Sequence, residues 1–286
     1  GSDTNIYPPM STKLDEWGIE VLEGWNAENL KPNPDLVIVG NVIRATNPEA
    51  EYVREAGLTN MSMPQAVAEF GIQERHSIVV AGTHGKTTTT ALITHLLDSA
   101  SRDPSFLVGG ALVNHAESFR SIPGEFFVIE GDEYDTAYFD KVPKFIHYRP
   151  KTAIITSLEF DHADIYDSIE DIEAAFKRLV ELVPEDGHLV IWEGAHRAVA
   201  LAKEFAQCKV SLYGTTGVVG ERVTMAEFET RAEGLVFNPV VDGDAVGEMQ
   251  TPMWGEHSAQ NALAAVGALW EIGLTAEELR QGFKTF

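Results

Sequence analysis

The run AGTHGKTTTTALITHLL at residues 81–97 sets two glycines, a lysine and four consecutive threonines between an apolar run and a helical pattern. A glycine turn that opens a helix aims backbone N–H groups and the positive end of the helix dipole at an anion. The strict phosphate-loop spacing asks for a glycine five positions before the one preceding the lysine, where this chain has Val80. The shorter loop Gly82, Thr83, His84, Gly85, Lys86, Thr87 keeps the mechanics. Lys86 is expected to bridge the β- and γ-phosphates of a nucleotide, and the Thr87 hydroxyl to coordinate magnesium. The plainer alternative is a glycine turn into a capped helix with no ligand, and strand context, paired glycines and Lys-Thr together count against it.

Two clusters of acids follow other apolar runs. VIEGDEYD carries Glu130, Asp132, Glu133 and Asp135, and SLEFDHADIY carries Glu159, Asp161, His162 and Asp164. Carboxylates this close repel one another unless cations or hydrogen bonds offset the charge. Either cluster alone is an ordinary polar loop, but both follow strands, where parallel sheets collect ligands at the carboxyl edge. Together with a phosphate loop they point to a metal-assisted nucleotide site.

The elements that must position these residues are legible as alternating apolar runs and helical patterns. HSIVVAG, FFVIEGD, TAIITSL, HLVIWEG and KVSLYG read as buried strands, with helices expected over 86–99, 168–183 and 195–206. That alternation implies right-handed crossovers and a mainly parallel sheet. After Gly220 the runs are short and punctuated by Gly and Pro, which predicts a small antiparallel addition, and helix returns from SAQNALAAVGALWEIG onward. Residues 1–76 read as an incomplete Rossmann-like α/β domain, and 77–286 as a P-loop-type domain. No opening strand and no initiator methionine is present, and Gly1 and Ser2 are either native or a cloning scar.

Composition narrows the function. The chain has 286 residues, a net charge of −23 and one cysteine, Cys208. The summed field repels nucleic acid and anionic membranes, so attraction for a nucleotide has to be local. No apolar run approaches the roughly 18 residues of a membrane span, and the lone cysteine fits a reducing cytoplasm.

At this point the ordered motifs GTHGKTTTT, EGDEYD, LEFDHADIY and GEHSAQNALAAV resemble those of the Mur ligases, ATP-dependent amide-forming enzymes of peptidoglycan metabolism. The stretches GSDTNIYPPMS and DEYDTAYFDKVPKFIHY are most similar to members that join UDP-N-acetylmuramate to the tripeptide L-alanyl-γ-D-glutamyl-meso-diaminopimelate, rather than to L-alanine. The resemblance implies a UDP-sugar domain over 1–76, a central ATPase domain over 77–286, and a C-terminal peptide-binding domain absent from this sequence. It implies ATP phosphates on Gly82, Thr83, Gly85, Lys86, Thr87 and Thr88, with Asn261 near the adenine. Catalysis falls to Lys86, Glu130 and His162, magnesium to Thr87, Glu130 and His162, and the muramyl carboxylate lies towards His84. Ser258 stands where the family usually has asparagine, and by residue type alone His257 and Asn261 would serve as helix caps. Lys177 is expected as a solvated helix lysine, and its spacing from His162, at which some members carry a carbamylated lysine, offers the alternative. Loss of Lys86 is expected to damage chemistry more than folding. A nucleotide-binding module without catalysis is the competing class.

Overall fold

The computed structural model describes residues 1–8, 10–110, 112–159, 166, 168–215 and 222–286, without the side chains of Arg222, Ala226 and Glu227. The chain divides into two compact units, Gly1–Ala66 with Asp135–Lys141, and Val67–Tyr134 with Val142–Phe286.

The first unit holds two parallel strand pairs. β1 (Ser2–Asp3) pairs with β2 (Leu22–Glu23), and β3 (Val37–Val39) with β4 (Asn60–Ser62). Its helices are α1 (Met10–Glu16), α2 (Pro48–Glu55) and the single turn α3 (Met63–Ala66). α2 begins where it does because Asn47 caps it, accepting from Glu49 N at 2.9 Å and Ala50 N at 3.3 Å, while Pro48 sits where a missing N–H costs nothing. Glu49 then gathers the unit: Ser2 Oγ donates to it at 2.5 Å, Asn26 N at 3.1 Å and Asn29 Nδ2 at 2.7 Å.

The second unit is built on one large sheet of eleven strands among the described residues. Its strands are β5 (His76–Ala81), β6 (Ser105–Leu107), β7 (Phe119–Arg120) and β8 (Phe126–Gly131), then, after the hairpin of β9 (Asp135–Ala137) and β10 (Asp140–Pro143), β11 (Thr152–Ile155), β12 (His188–Trp192) and β13 (Lys209–Tyr213). β14 (Arg222–Arg231), β15 (Gly234–Val241), β16 (Asp244–Ala245) and β17 (Met249–Thr251) complete it. The order is β16-β15-β14-β13-β12-β11-β5-β8-β6-β7, with β17 on β15. From β13 to β6 the sheet is parallel, as the apolar runs predict. The antiparallel addition is no separate sheet, because β14 pairs in parallel with β13 at Leu212–Arg222 and Tyr213–Val223 and antiparallel with β15.

Helices α4 (Lys86–Ser99), α5 (Ile169–Leu182), α6 (His196–Phe205), α7 (Glu256–Glu271) and α8 (Ala276–Thr285) cover both faces. Alternation along β5 assigns them: Ile78 and Val80 pack with Leu92 and Leu96 of α4, Ala262 and Val266 of α7, and Phe283 of α8, whereas Val79 and Ala81 pack with Phe176 of α5 and Ala198 of α6. Each fully buried aliphatic side chain stabilises by about 1.5–3 kcal/mol before entropy is counted, so the central parallel strands, wet on neither face, are a stiff platform for the loops at their edge. Among the described residues no helix is long and apolar enough to cross a membrane.

Candidate nucleotide site

Register places the site. β5 lies between β8 and β11, with Ala81 opposite Gly131 on one side and Ile155 on the other. The two acid-bearing loops therefore leave the sheet on either flank of the glycine loop, at the carboxyl edge.

The glycine loop is strapped to the chain that follows β11. Thr156 Oγ1 donates to Ala81 O at 3.1 Å and to His84 O, His84 N donates to Ser157 Oγ at 2.9 Å, and Glu159 N donates to Thr83 Oγ1 at 3.1 Å. Gly82 sits at φ +130°, and a methyl there would lie 2.3 Å from Thr156 Oγ1 and 2.7 Å from Ser157 N. Gly85, at φ +83°, is the residue before α4 and offers no side-chain cap. The first N–H groups of α4 have no intrahelical partner, so they face outward as anion donors.

The threonine run divides its work. Thr87 Oγ1 donates to Glu130 Oε2 at 2.9 Å, and the other oxygen of Glu130 accepts from Gly109 N at 2.6 Å. Thr89 Oγ1 donates to Asn261 Oδ1 at 3.2 Å, and Thr90 Oγ1 to Lys86 O at 2.8 Å. Thr87 and Thr88 open onto a cavity of about 410 Å³ that Leu112, Asn114, Met253 and Phe286 also line. Within it the His95 ring is held neutral in preference, its pKa lowered chiefly by burial, and Asn114 Nδ2 donates to its Nδ1 at 3.0 Å.

The acids of the first cluster are not pooled. Glu130 faces Thr87, Asp132 accepts from Lys144 Nζ at 2.8 Å, Asp135 in the first unit accepts from Lys141 Nζ at 2.8 Å, and Glu133 faces Lys86 Nζ at 3.3 Å. Cations and hydrogen bonds thus offset the repulsion that the sequence announces. Among the described residues no three His, Cys, Asp or Glu side chains converge as a metal site. Magnesium nevertheless fits the Thr87–Glu130 pair, since both are hard oxygen donors and their 2.9 Å separation is that of neighbouring vertices of an octahedron with arms of roughly 2.0–2.1 Å.

Of the residues singled out from sequence, Gly82, Thr83, His84, Gly85, Lys86, Thr87, Thr88, Glu130 and Asn261 come together around the α4 N-terminus. His162, Asp161 and Asp164 lie outside the described residues. His84 is exposed, with Nε2 4.0 Å from Glu159 Oε2. Neither His257 nor Asn261 caps α7, whose N-cap position is Gly255 with no side-chain cap, and Ser258 Oγ donates to Trp254 O at 2.7 Å.

Lys177 lies over the Phe205 ring, 3.8 Å from its centroid, and 3.8 Å from Glu181. Phe205 ends α6, and the last turn of a crossover helix lies at the opposite edge of the sheet from the glycine loop, so the carbamate reading is withdrawn. Lys86 also has partners within the fold: its Nζ donates to Gly82 O at 2.6 Å and faces Glu133, whose side chain is 5% exposed. Sequence alone missed this pairing, Gly109, and the strap of Thr156 and Ser157, whose one signal is a pair of hydroxyls at the carboxyl end of the TAII strand.

Comparison with known proteins gives matches over both units. A family model described as Mur ligase middle domain matches residues 80–269, and one described as Mur ligase family, catalytic domain, matches residues 1–75. The UDP-N-acetylmuramate–L-alanyl-gamma-D-glutamyl-meso-2,6-diaminoheptandioate ligase of Escherichia coli is 39% identical over all of this chain and 61% of its own length. The UDP-N-acetylmuramate–L-alanine ligase of Renibacterium salmoninarum is 38% identical over 93% of this chain and 55% of its own. A crystal structure of the L-alanyl-gamma-D-glutamyl-meso-diaminopimelate ligase from Neisseria meningitides superimposes with a TM-score of 0.92 at 35% identity, covering 100% of this chain and 89% of that one. The chain spans about three fifths of the length of the curated relatives it matches.

Proposed function

Because the chain belongs to the Mur ligase family, we propose that it carries the ATP-using part of a ligase that joins UDP-N-acetylmuramate to L-alanyl-γ-D-glutamyl-meso-diaminopimelate in the cytoplasm, in peptidoglycan recycling. Residues 1–76 bind the sugar nucleotide and 77–286 bind ATP. The observation that carries the reading is the uncapped start of α4, held open by Thr156 and Ser157 beside the Thr87–Glu130 pair.

A carboxylate does not condense with an amine in neutral water, because its oxygen is a poor leaving group. In the reaction proposed, the lactyl carboxylate attacks the γ-phosphorus of ATP in line, ADP departs, and an acyl phosphate forms. The amino group of the tripeptide then attacks the acyl carbon, and phosphate leaves. Gly82, Thr83, Gly85, Thr87 and Thr88 receive the phosphates, and Asn261, which accepts from Thr89 Oγ1 beside the glycine loop, lies near the adenine. Lys86 and the α4 amides stabilise charge that spreads over the transferring oxygens. Thr87 and Glu130 hold magnesium together with His162, and the metal neutralises phosphate charge when bound. His84, projecting from the loop, lies towards the incoming carboxylate. With an α-amino pKa near 7.7–8.0, about a tenth of the acceptor amine is neutral at pH 7, so positioning contributes more than a strong base.

Similarity to the L-alanine-adding relative supports a second reading, in which free L-alanine is the acceptor. Phosphate release by the full-length protein separates them. Release that needs ATP, UDP-N-acetylmuramate and the tripeptide supports the first, release with L-alanine alone the second, and ATP binding without release under any acceptor means a module without catalysis.

A further inference from the structure

Lys86 and Glu133 form a buried ion pair at the mouth of the glycine loop. Nζ lies 3.3 and 3.4 Å from the two Glu133 oxygens and donates at 2.6 Å to Gly82 O, with the lysine and glutamate side chains 14% and 5% exposed. The ammonium is thus folded back over its own loop, straddling a carboxylate where an anion is to be received. A carboxylate and a phosphoryl oxygen cannot both take this ammonium without facing each other across a few ångströms of low-dielectric protein, where like charges repel strongly.

We propose that Glu133 is a built-in rival of the terminal phosphate for Lys86: it holds the lysine while the loop is empty, yields it when ATP binds, and takes it back once the γ-phosphoryl group has been transferred. The inference rests on the ATP-ligase reading above. It assigns Glu133 a positioning role through Lys86, with no contact to the reacting atoms. The exchange costs part of the affinity for ATP, and it favours release of ADP, which carries only one of the two phosphates that Lys86 is expected to bridge. The backbone of Glu133 is itself anchored, its carbonyl accepting from Tyr166 Oη at 2.7 Å, so the side chain moves while its attachment stays.

The test is calorimetric titration of the protein with ATP, ADP and AMP in the presence of magnesium, for the wild type, Glu133→Gln and Glu133→Asp. Removing the rival charge is expected to tighten ATP binding on the order of tenfold, ADP less, and AMP not at all. Glu133→Asp keeps the charge but draws it back by one methylene, so its ATP affinity should fall between the other two, and it serves if Glu133→Gln does not fold. ATP affinity unchanged or weakened in folded variants, or an equal gain for AMP, overturns the proposal while leaving the ligase reading intact. Absence of ATP binding by the wild type refutes the ligase reading itself.

Discussion

Gly82→Ala tests whether the strapped loop is built as described. Its added methyl would meet Thr156 Oγ1 at 2.3 Å, Ser157 N at 2.7 Å and Ser157 O at 2.9 Å, against an optimum of roughly 3.5 Å for such contacts. Two of the three are backbone atoms, so no rotamer change relieves the overlap. Overpacking contributes about 1–3 kcal/mol and the φ of +130° about 1–3 kcal/mol more, for a total of roughly 2–6 kcal/mol. That energy appears in one of two places. Either the native fold carries it, and the urea midpoint falls at unchanged slope, or the loop lifts off the strap and ATP affinity drops by at least about 30-fold, the equivalent of 2 kcal/mol. Thr156→Ala in the same background removes the tightest contact and leaves the other two, so it should restore only part of the loss. A Gly82→Ala protein with wild-type urea midpoint and wild-type ATP affinity would show that the loop does not lie against residues 156–157.

Three other outcomes follow from the geometry. Lys86→Ala should cost the nucleotide-free protein about 3–5 kcal/mol by taking the ammonium away from buried Glu133, and Glu133→Gln added to it should recover much of that, a coupling that urea denaturation of the double-mutant cycle reads and strict additivity refutes. Thr87→Ala should weaken ATP binding by about tenfold with magnesium present and little without it, a difference that calorimetry with and without chelator measures. His188 is 3% exposed, its Nε2 is 2.8 Å from Ser211 Oγ, and burial pushes its pKa from 6.5 down to about 4. The unfolded chain takes up the proton first, so stability is intact above pH 6.5 and falls as the pH drops towards 4, by about 3 kcal/mol at the limit. His188→Gln should flatten that slope in urea midpoints taken between pH 7 and 4.5, and an unchanged slope would show that the ring charges freely in the fold.

The parallel strands were legible because each is a run of apolar residues buried on both faces, and the helices because their apolar positions recur at helical spacing. Residues 105–107 and 119–120 escaped notice because two or three residues carry no period. The fusion of the antiparallel strands onto β13 escaped for a different reason: among the described residues, register between β13 and β14 rests on two residue pairs, which no local pattern announces. At the site, the types and spacing within residues 82–90 and 130–135 pointed to residues that the fold does bring together at the start of α4, since glycine, lysine and hydroxyl each have a local task. What spacing could not give was partnership across the sheet. Ser157 reaches His84 over 73 positions and Glu133 reaches Lys86 over 47, and both contacts exist only because β11, β5 and β8 lie side by side. Lys177 shows the converse, where a suggestive interval along the chain leads to the wrong edge of the domain.

The strap from Thr156 and Ser157 bears on how portable the motif is. Transplanting residues 82–87 into another strand-and-helix scaffold would carry over the glycines and the lysine but not the neighbouring hydroxyls that hold their shape, and the graft should bind nucleotide poorly until a matching Thr-Ser pair is supplied from the next strand.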